Sequence, residues 1–169
     1  SEYNFNLDTK IIFGLDNEFD RAKFQKDWPT DYLTTDESIH SQYFDVQLRH
    51  SDKLYQTLGI RRDEHTTAGS YNTYRNTLAY NIDKFSKVRT SYGTGIRFPA
   101  LYDYFYGTVV KEKEQLKPEK SKSFDLGYET DIEKINTIFD ISIYKITYKD
   151  ALEGWKSHNW TVKNSTAKI

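Results

Sequence analysis

Along most of this chain apolar and polar residues alternate one by one, the period-two signature of β-strands whose two faces meet unlike surroundings. Nine segments carry it. Tyr3, Phe5 and Leu7 mark the first. The second, from about Lys10 to Lys23, sets Ile11, Phe13, Leu15 and Phe19 against Gly14, Asp16, Glu18 and Asp20. The third places Phe44, Val46 and Leu48 opposite Asp45, Gln47 and Arg49, and the fourth places Leu58 and Ile60 opposite Gly59, Arg61 and Asp63. In the fifth, Tyr74, Leu78, Tyr80 and Ile82 alternate with Arg75, Thr77 and Asn81. The sixth, about Ser86 to Arg97, turns Val88, Tyr92 and Ile96 away from Lys87, Arg89, Ser91, Gly93, Gly95 and Arg97. The seventh alternates Phe124, Leu126 and Tyr128 with Asp125, Gly127 and Glu129, and the eighth sets Phe139, Ile141 and Ile143 against Asp140, Ser142 and Tyr144. A ninth begins near Trp160, and Ile169 falls within it.

The connections hold a second pattern. Short turns at Asp8–Thr9, Ser51–Lys53, Asp83–Phe85 and Asp131–Lys134 alternate with longer stretches at Phe24–Ile39, Glu64–Tyr71, Phe98–Lys120 and Asp150–Asn159. Short connections on one rim and long ones on the other are the rule for barrels that cross a membrane; a soluble sandwich has no reason to keep it. The fold class expected is therefore all-β: an antiparallel up-and-down transmembrane β-barrel segment of about nine strands, a curved open sheet when it stands as a fragment. The charged run from Lys111 to Lys122 contains Pro118 and lacks an apolar stripe, so it reads as solvated loop and not as helix.

Composition narrows the alternatives. The chain has 169 residues and a formal net charge of -1, which gives nucleic acid nothing to bind. No stretch approaches the roughly 18 consecutive apolar residues of a spanning helix. A mean hydropathy of -0.81 beside 16% aromatic residues suits strands with one wet and one apolar face. Cysteine is absent, which removes disulfide frameworks, thiol chemistry and cysteine metal sites. The chain opens at Ser1 with no methionine anywhere, and it reads as either a processed chain or, the preferred reading, an internal piece of a longer protein.

Ser91-Tyr-Gly-Thr-Gly-Ile-Arg-Phe-Pro-Ala-Leu-Tyr102, followed by Tyr106-Gly107 and then by Leu116-Lys-Pro-Glu-Lys-Ser121, resembles a strand, its loop and the return strand of the TonB-dependent outer-membrane receptors, nearest to their cobalamin branch. Gly59-Ile-Arg61-Arg-Asp63, the Arg75 strand leading to Tyr80, the Asp125-Leu-Gly127-Tyr-Glu129 strand and Asn164 follow the same family's order. One departure is that Glu114-Gln115 stands where the family has Asn-Pro. The resemblance implies that residues 1–169 are a partial receptor barrel domain, drawn from a barrel of the 22-stranded class, without the amino-terminal plug domain, the TonB box or the carboxy-terminal strands.

Several side chains then acquire candidate roles. Arg61, Asp63, Arg75, Arg97, Asp125 and Glu129 all fall on the polar parity, and so face the lumen of a barrel. The resemblance makes them possible contacts of the plug that fills that lumen; the alternative is an ionic ladder along the wall itself. Tyr102, Tyr104 and Tyr106 either close over a ligand or sit as an aromatic girdle at the membrane interface, where Trp28, Trp155 and Trp160 also fit. Asp27, Asp31, Asp36 and Glu37 form an acidic loop without the Asp-x-Asp-x-Asp-Gly spacing of a calcium site, and no metal or cofactor is expected. His40, His50, His65 and His158 are scattered, and no nucleophile, base and orienting acid can be assembled, so no enzyme is expected.

The resemblance implies a receptor of the bacterial outer membrane for active uptake of a scarce, large ligand, a corrinoid such as cobalamin. Its partners are the plug of the same full-length receptor, the TonB complex through that plug, outer-membrane lipid and the small-molecule ligand. Without the plug, this stretch by itself neither couples to TonB nor transports. An iron-siderophore or haem receptor of the same family is the alternative cargo reading. A soluble or surface-attached adhesin-like domain is the alternative from another class; it predicts apolar faces buried between two sheets.

Overall fold

The computed structural model describes the backbone of residues 2–6, 8–27, 31–101, 103, 116–156 and 159–168, with side chains at 2, 8–23, 34–101, 103 and 116–152. Nine antiparallel strands form one sheet in chain order: β1 (Glu2–Asn6), β2 (Thr9–Asp27), β3 (Asp31–Arg49), β4 (Leu54–His65), β5 (Gly69–Asn81), β6 (Ser86–Arg97), β7 (Glu119–Ile132), β8 (Thr137–Lys156) and β9 (Asn159–Lys168). Each strand pairs with its neighbour in sequence, as an up-and-down wall requires.

Register sorts the side chains, because directly opposed residues share a face. Phe13 opposes Phe44, Phe44 opposes Ile60, and Ile60 opposes Tyr74. Farther round, Tyr92 opposes Phe124 and Leu126 opposes Ile143. These residues make an apolar belt on one face that nothing covers: Leu15 is 67% and Ile143 64% exposed. The sheet is single, so the apolar faces that an adhesin-like sandwich would bury stand open here. Burial is inverted as well. Among the described residues Glu37, Ser41, Asp63 and His65 are the buried polar or charged side chains, while Pro99, Leu101 and Pro118 are the buried apolar ones.

The short-turn rim is built as expected at three positions and shifted at one. At 82–85, Asp83 Oδ1 accepts the backbone N–H groups of Phe85 at 2.8 Å and Ser86 at 2.9 Å, an Asx turn that closes the β5–β6 hairpin. The Phe85 N–H foremost, with help from Ser86, holds the Asp83 carboxyl below the usual carboxylate range. The turn expected at Asp131–Lys134 lies instead at a 3-10 turn, Glu133–Ile135, ended by Asn136 in the left-handed region at φ 47°. Asparagine tolerates that conformation.

The other rim departs further from the sequence expectation. β2 and β3 stay paired from Thr9 and Leu48 out to Gln25 and Tyr32, so residues 24–27 and 31–39 continue the two strands well past the expected bounds. Likewise β4 and β5 are joined by Thr66–Ala68 alone, with Gly69 at φ 88°. β8 runs to Lys156 through a bulge where Asp150 takes φ 57° and the register with β9 shifts. Beyond an apolar belt about 25 Å tall both faces of a strand meet water, so alternation fades while backbone pairing persists. Loss of alternation therefore looked like loss of strand. The connection between β6 and β7, residues 98–118, stays outside any strand where it is described.

Candidate functional site

The polar face carries three groups of side chains. Toward the loop rim, β2, β3 and β4 put Asp16, Ser41 and Asp63 in one cross-strand row. Arg61, one row below, gathers them: its Nε donates to Asp63 Oδ1 at 2.7 Å, and its Nη2 donates to Ser41 Oγ at 2.8 Å and Asp16 Oδ2 at 3.4 Å. Ser41 Oγ donates to Asp63 Oδ1 at 2.6 Å. Asp63 is only 5% exposed, and these donors take the place of the water its carboxylate oxygens have lost.

Toward the short-turn rim a second network crosses β6, β7 and β8. Lys87 Nζ lies 2.9 Å from Glu129 Oε1, Arg89 Nη1 lies 3.1 Å from Glu129 Oε2, and Arg89 Nη2 lies 2.7 Å from Asp140 Oδ2. Arg89 reaches β8 by passing over Gly127: a Cβ there would stand 3.0 Å from Arg89 Nε and 3.2 Å from its Cγ. Asp125, one step along the same face of β7, accepts a hydrogen bond from Ser91 Oγ.

Between them lies an open row. Arg75 is flanked on the sheet by Gly59 and Gly93, neither of which raises a side chain beside it. Asp45 folds over Gly59 into the space that a Cβ would occupy. Arg75 and Arg97 are exposed and make no ion pair or hydrogen bond among the described residues. Of the six lumen-facing candidates, Arg61, Asp63, Asp125 and Glu129 are thus tied into the wall, while Arg75 and Arg97 extend from it.

The fourth element is a recess of about 230 Å³ at the loop rim, lined by Glu18, Asp20, Glu37, His65 and the 98–100 segment. Phe98 stacks on the His65 ring with centroids 4.5 Å apart, and Tyr71 meets Phe98 edge-on at 5.8 Å. His65 Nδ1 accepts the N–H groups of Thr67 at 3.2 Å and Ala68 at 3.1 Å, which leaves the ring proton on Nε2, facing Glu37 Oε2 at 3.4 Å. The beginning of the 98–118 connection therefore turns inward over β2–β4.

Tyr102, Tyr104 and Tyr106 lie outside the described residues, as do Trp28, His158 and the side chains of Asp27, Asp31, Trp155 and Trp160. Asp36 and Glu37 point to opposite faces: Asp36 pairs with Arg21 at 3.6 Å outside, and Glu37 with His65 inside. No group of three potential ligands able to hold a metal occurs among the described residues. Sequence reasoning gave no role to Ser41, Arg89 and Asp140, and weighed Glu37 and His65 only as metal ligands. Arg89 and Asp140 stood on the polar parity and were open to selection by the same rule; nothing in the sequence marked Ser41 or His65 as buried.

Residues 1–154 match the family described as TonB dependent receptor-like, beta-barrel. Over 98 residues the chain is 29% identical to a vitamin B12 transporter of Photobacterium profundum, covering 58% of this chain and 16% of the transporter. Its fold superposes on the siderophore receptor PirA of Pseudomonas aeruginosa with a TM-score of 0.81 at 16% identity, over 98% of this chain and 32% of that one. A ferric enterobactin receptor of the same organism, in complex with enterobactin, gives 0.82 at 12% identity, over 99% and 30%. The chain thus spans about a third of the length of these structures and less of the transporter. A belt open to lipid on one face, a charged lumen on the other and a family match from β1 into β8 agree: the chain belongs to the β-barrel family of TonB-dependent receptors, proteins of the bacterial outer membrane.

Proposed function

We propose that this wall belongs to a receptor that takes up a scarce, large ligand across the outer membrane, drawing energy from TonB through a plug seated in the lumen, and that the ligand is a corrinoid. The observation that carries the seating role is Arg75, a cation set between two glycines with no partner in the wall among the described residues. A plug carboxylate or backbone carbonyl would satisfy it by a charge-assisted hydrogen bond that pulling must break. Arg97 has the same character. Arg61, Asp63, Asp125 and Glu129 hold the strands that position these two.

For the cargo, identity with a vitamin B12 transporter supports the corrinoid reading. So does the chemistry of the upper recess. Glu18, Asp20 and Glu37 there repel a ferric catecholate, which carries net negative charge, and accept hydrogen bonds from a ligand rich in amides. Phe98 and Tyr71 add aromatic surface nearby. The fold neighbours that take siderophores keep the alternative cargo in view. Equilibrium binding by the full-length receptor decides it: saturable binding of cyanocobalamin is expected, and saturable ferric-siderophore binding without any for cyanocobalamin overturns the assignment.

A further inference from the structure

We infer that the free upper edge of β3 takes up an extended, basic peptide segment of a second protein as an added strand. β3 runs from Asp31 to Arg49, but its neighbour β4 ends at His65, which pairs with Ile39. Above Ser38, β3 is therefore paired with β2 on one side and with no strand on the other. The turn after β4 shows which backbone groups face that open side. The Thr66 N–H donates to the Ser38 carbonyl at 3.0 Å, and the Ser38 N–H donates to Thr66 Oγ1 at 2.9 Å. Backbone groups alternate in direction along a strand, so the N–H and C=O of Asp36, Thr34 and Tyr32 point the same way. None of these has a hydrogen-bond partner among the described residues.

This edge differs from those of β1 and β9. Further strands of a complete barrel cover the outer two, whereas β3 and β4 are already neighbours, so closing the barrel leaves the upper edge of β3 as it is. Residues 31–36 offer about 20 Å of strand at the usual rise. They contain no proline or lysine, and their register with β2 from Tyr32 inward runs without a bulge, so the devices that usually stop strand addition are missing.

Charge selects the peptide. Directly opposed residues share a face, so a residue set against Thr35 raises its side chain on the lumen side, next to Glu37. Glu18, Asp20 and Glu37 line the recess of about 230 Å³ at that place, while the cation nearest by register, Arg21, turns outward to Asp36. A lysine or arginine opposite Thr35 meets these carboxylates, and an acidic residue there is repelled. Main-chain pairing then supplies affinity and the recess supplies selectivity, the division of labour of strand addition.

The test uses the full-length receptor in nanodiscs and a capped, fluorescent octapeptide of alternating threonine and lysine. Saturable binding by anisotropy is expected, with amide exchange slowed at Thr34 and Asp36. Thr34→Pro removes one N–H from the open edge without touching the β2 ladder and should weaken binding about tenfold, while Thr34→Val, which keeps that N–H, should leave it unchanged. A peptide with glutamate in place of lysine should also bind about tenfold more weakly. No saturable binding by the wild type, or equal binding by Thr34→Pro, overturns the inference. Equal binding of the glutamate peptide overturns the choice of a basic partner. Exchange at Thr34 and Asp36 that is already slow without peptide overturns it too, because the edge is then occupied within the receptor. If Thr34→Pro does not fold, judged by heat-modifiable gel migration, the lysine peptide methylated at every backbone amide carries the test on the wild type; binding as tight as that of the parent peptide overturns the inference. The inference stands on the strand edge and not on the cargo, so a receptor that binds no corrinoid still answers it.

Discussion

Arg89 crosses β7 over the bare Cα of Gly127, and by that route alone joins Glu129 on β7 to Asp140 on β8. A side chain at 127 competes with the middle of the arginine and not with its flexible tip. Gly127→Ala should displace Arg89 and cost about 1–2 kcal/mol, and Gly127→Val more. Urea unfolding of the full-length receptor in lipid, with Gly127→Ala compared against Arg89→Ala, checks this; additive losses would show that the two residues do not act together.

Asp63 poses the opposite problem, a buried carboxylate held by donors. Arg61→Ala leaves it with Ser41 as its side-chain donor among the described residues and should destabilise the wall by about 3 kcal/mol. Adding Asp63→Asn to that variant removes the stranded charge and should recover part of the loss. Thermal unfolding of the single and double variants measures both steps.

Arg75 should behave differently from either. Because it has no partner in the described wall, Arg75→Ala is expected to change barrel stability by less than about 0.5 kcal/mol. If it seats the plug, the same change lowers the force at which the plug yields when the receptor is pulled by TonB in single-molecule experiments. Unchanged plug force with an intact barrel would remove Arg75 from that role.

The Asp83 turn sets a pH dependence with a definite sign. Hydrogen bonds from Phe85 and Ser86 favour the carboxylate, so the folded group titrates lower than the unfolded one. Its stabilisation is present in full above the unfolded carboxylate range and is lost as pH falls through the folded value. Stability measured down an acid series should therefore show a limb that is diminished in Asp83→Ala and unchanged in a substitution at the neighbouring Lys84.

Expressed by itself, the nine-stranded chain has two edges, β1 and β9, whose outward backbone groups need partners that lipid does not provide. Inclusion bodies, aggregation or degradation is the expected outcome. A monodisperse, detergent-free monomer in sizing chromatography would contradict it.

Strand number, order and facing were legible in the sequence because an apolar environment on one side and a polar one on the other write a period of two into every crossing. β6 was bounded to the residue for that reason. The far ends of β2 and β3 were illegible past Phe19, since Thr34, Thr35 and Ser38 meet no apolar side and alternate with nothing. Arg61 and Arg89 could be assigned a face from parity, yet their partners could not be chosen: Ser41 and Asp140 come within reach only through the register across strands. His65 was unremarkable as a letter and acquires its burial from Phe98, more than thirty positions downstream.

The unbroken pairing of each strand with its sequence neighbour also makes the bilayer a proofreader. A slip of one residue in any hairpin would exchange its faces, sending Arg61 and Asp63, or Arg89 and Glu129, into hydrocarbon and Ile60 or Leu126 into the lumen. Such a slip leaves the backbone ladder nearly as well bonded as before, so hydrogen bonding by itself would not reject it. The solvent on either side does, at several kcal/mol for each stranded charge, and the wall can only settle into its register once both solvents are present.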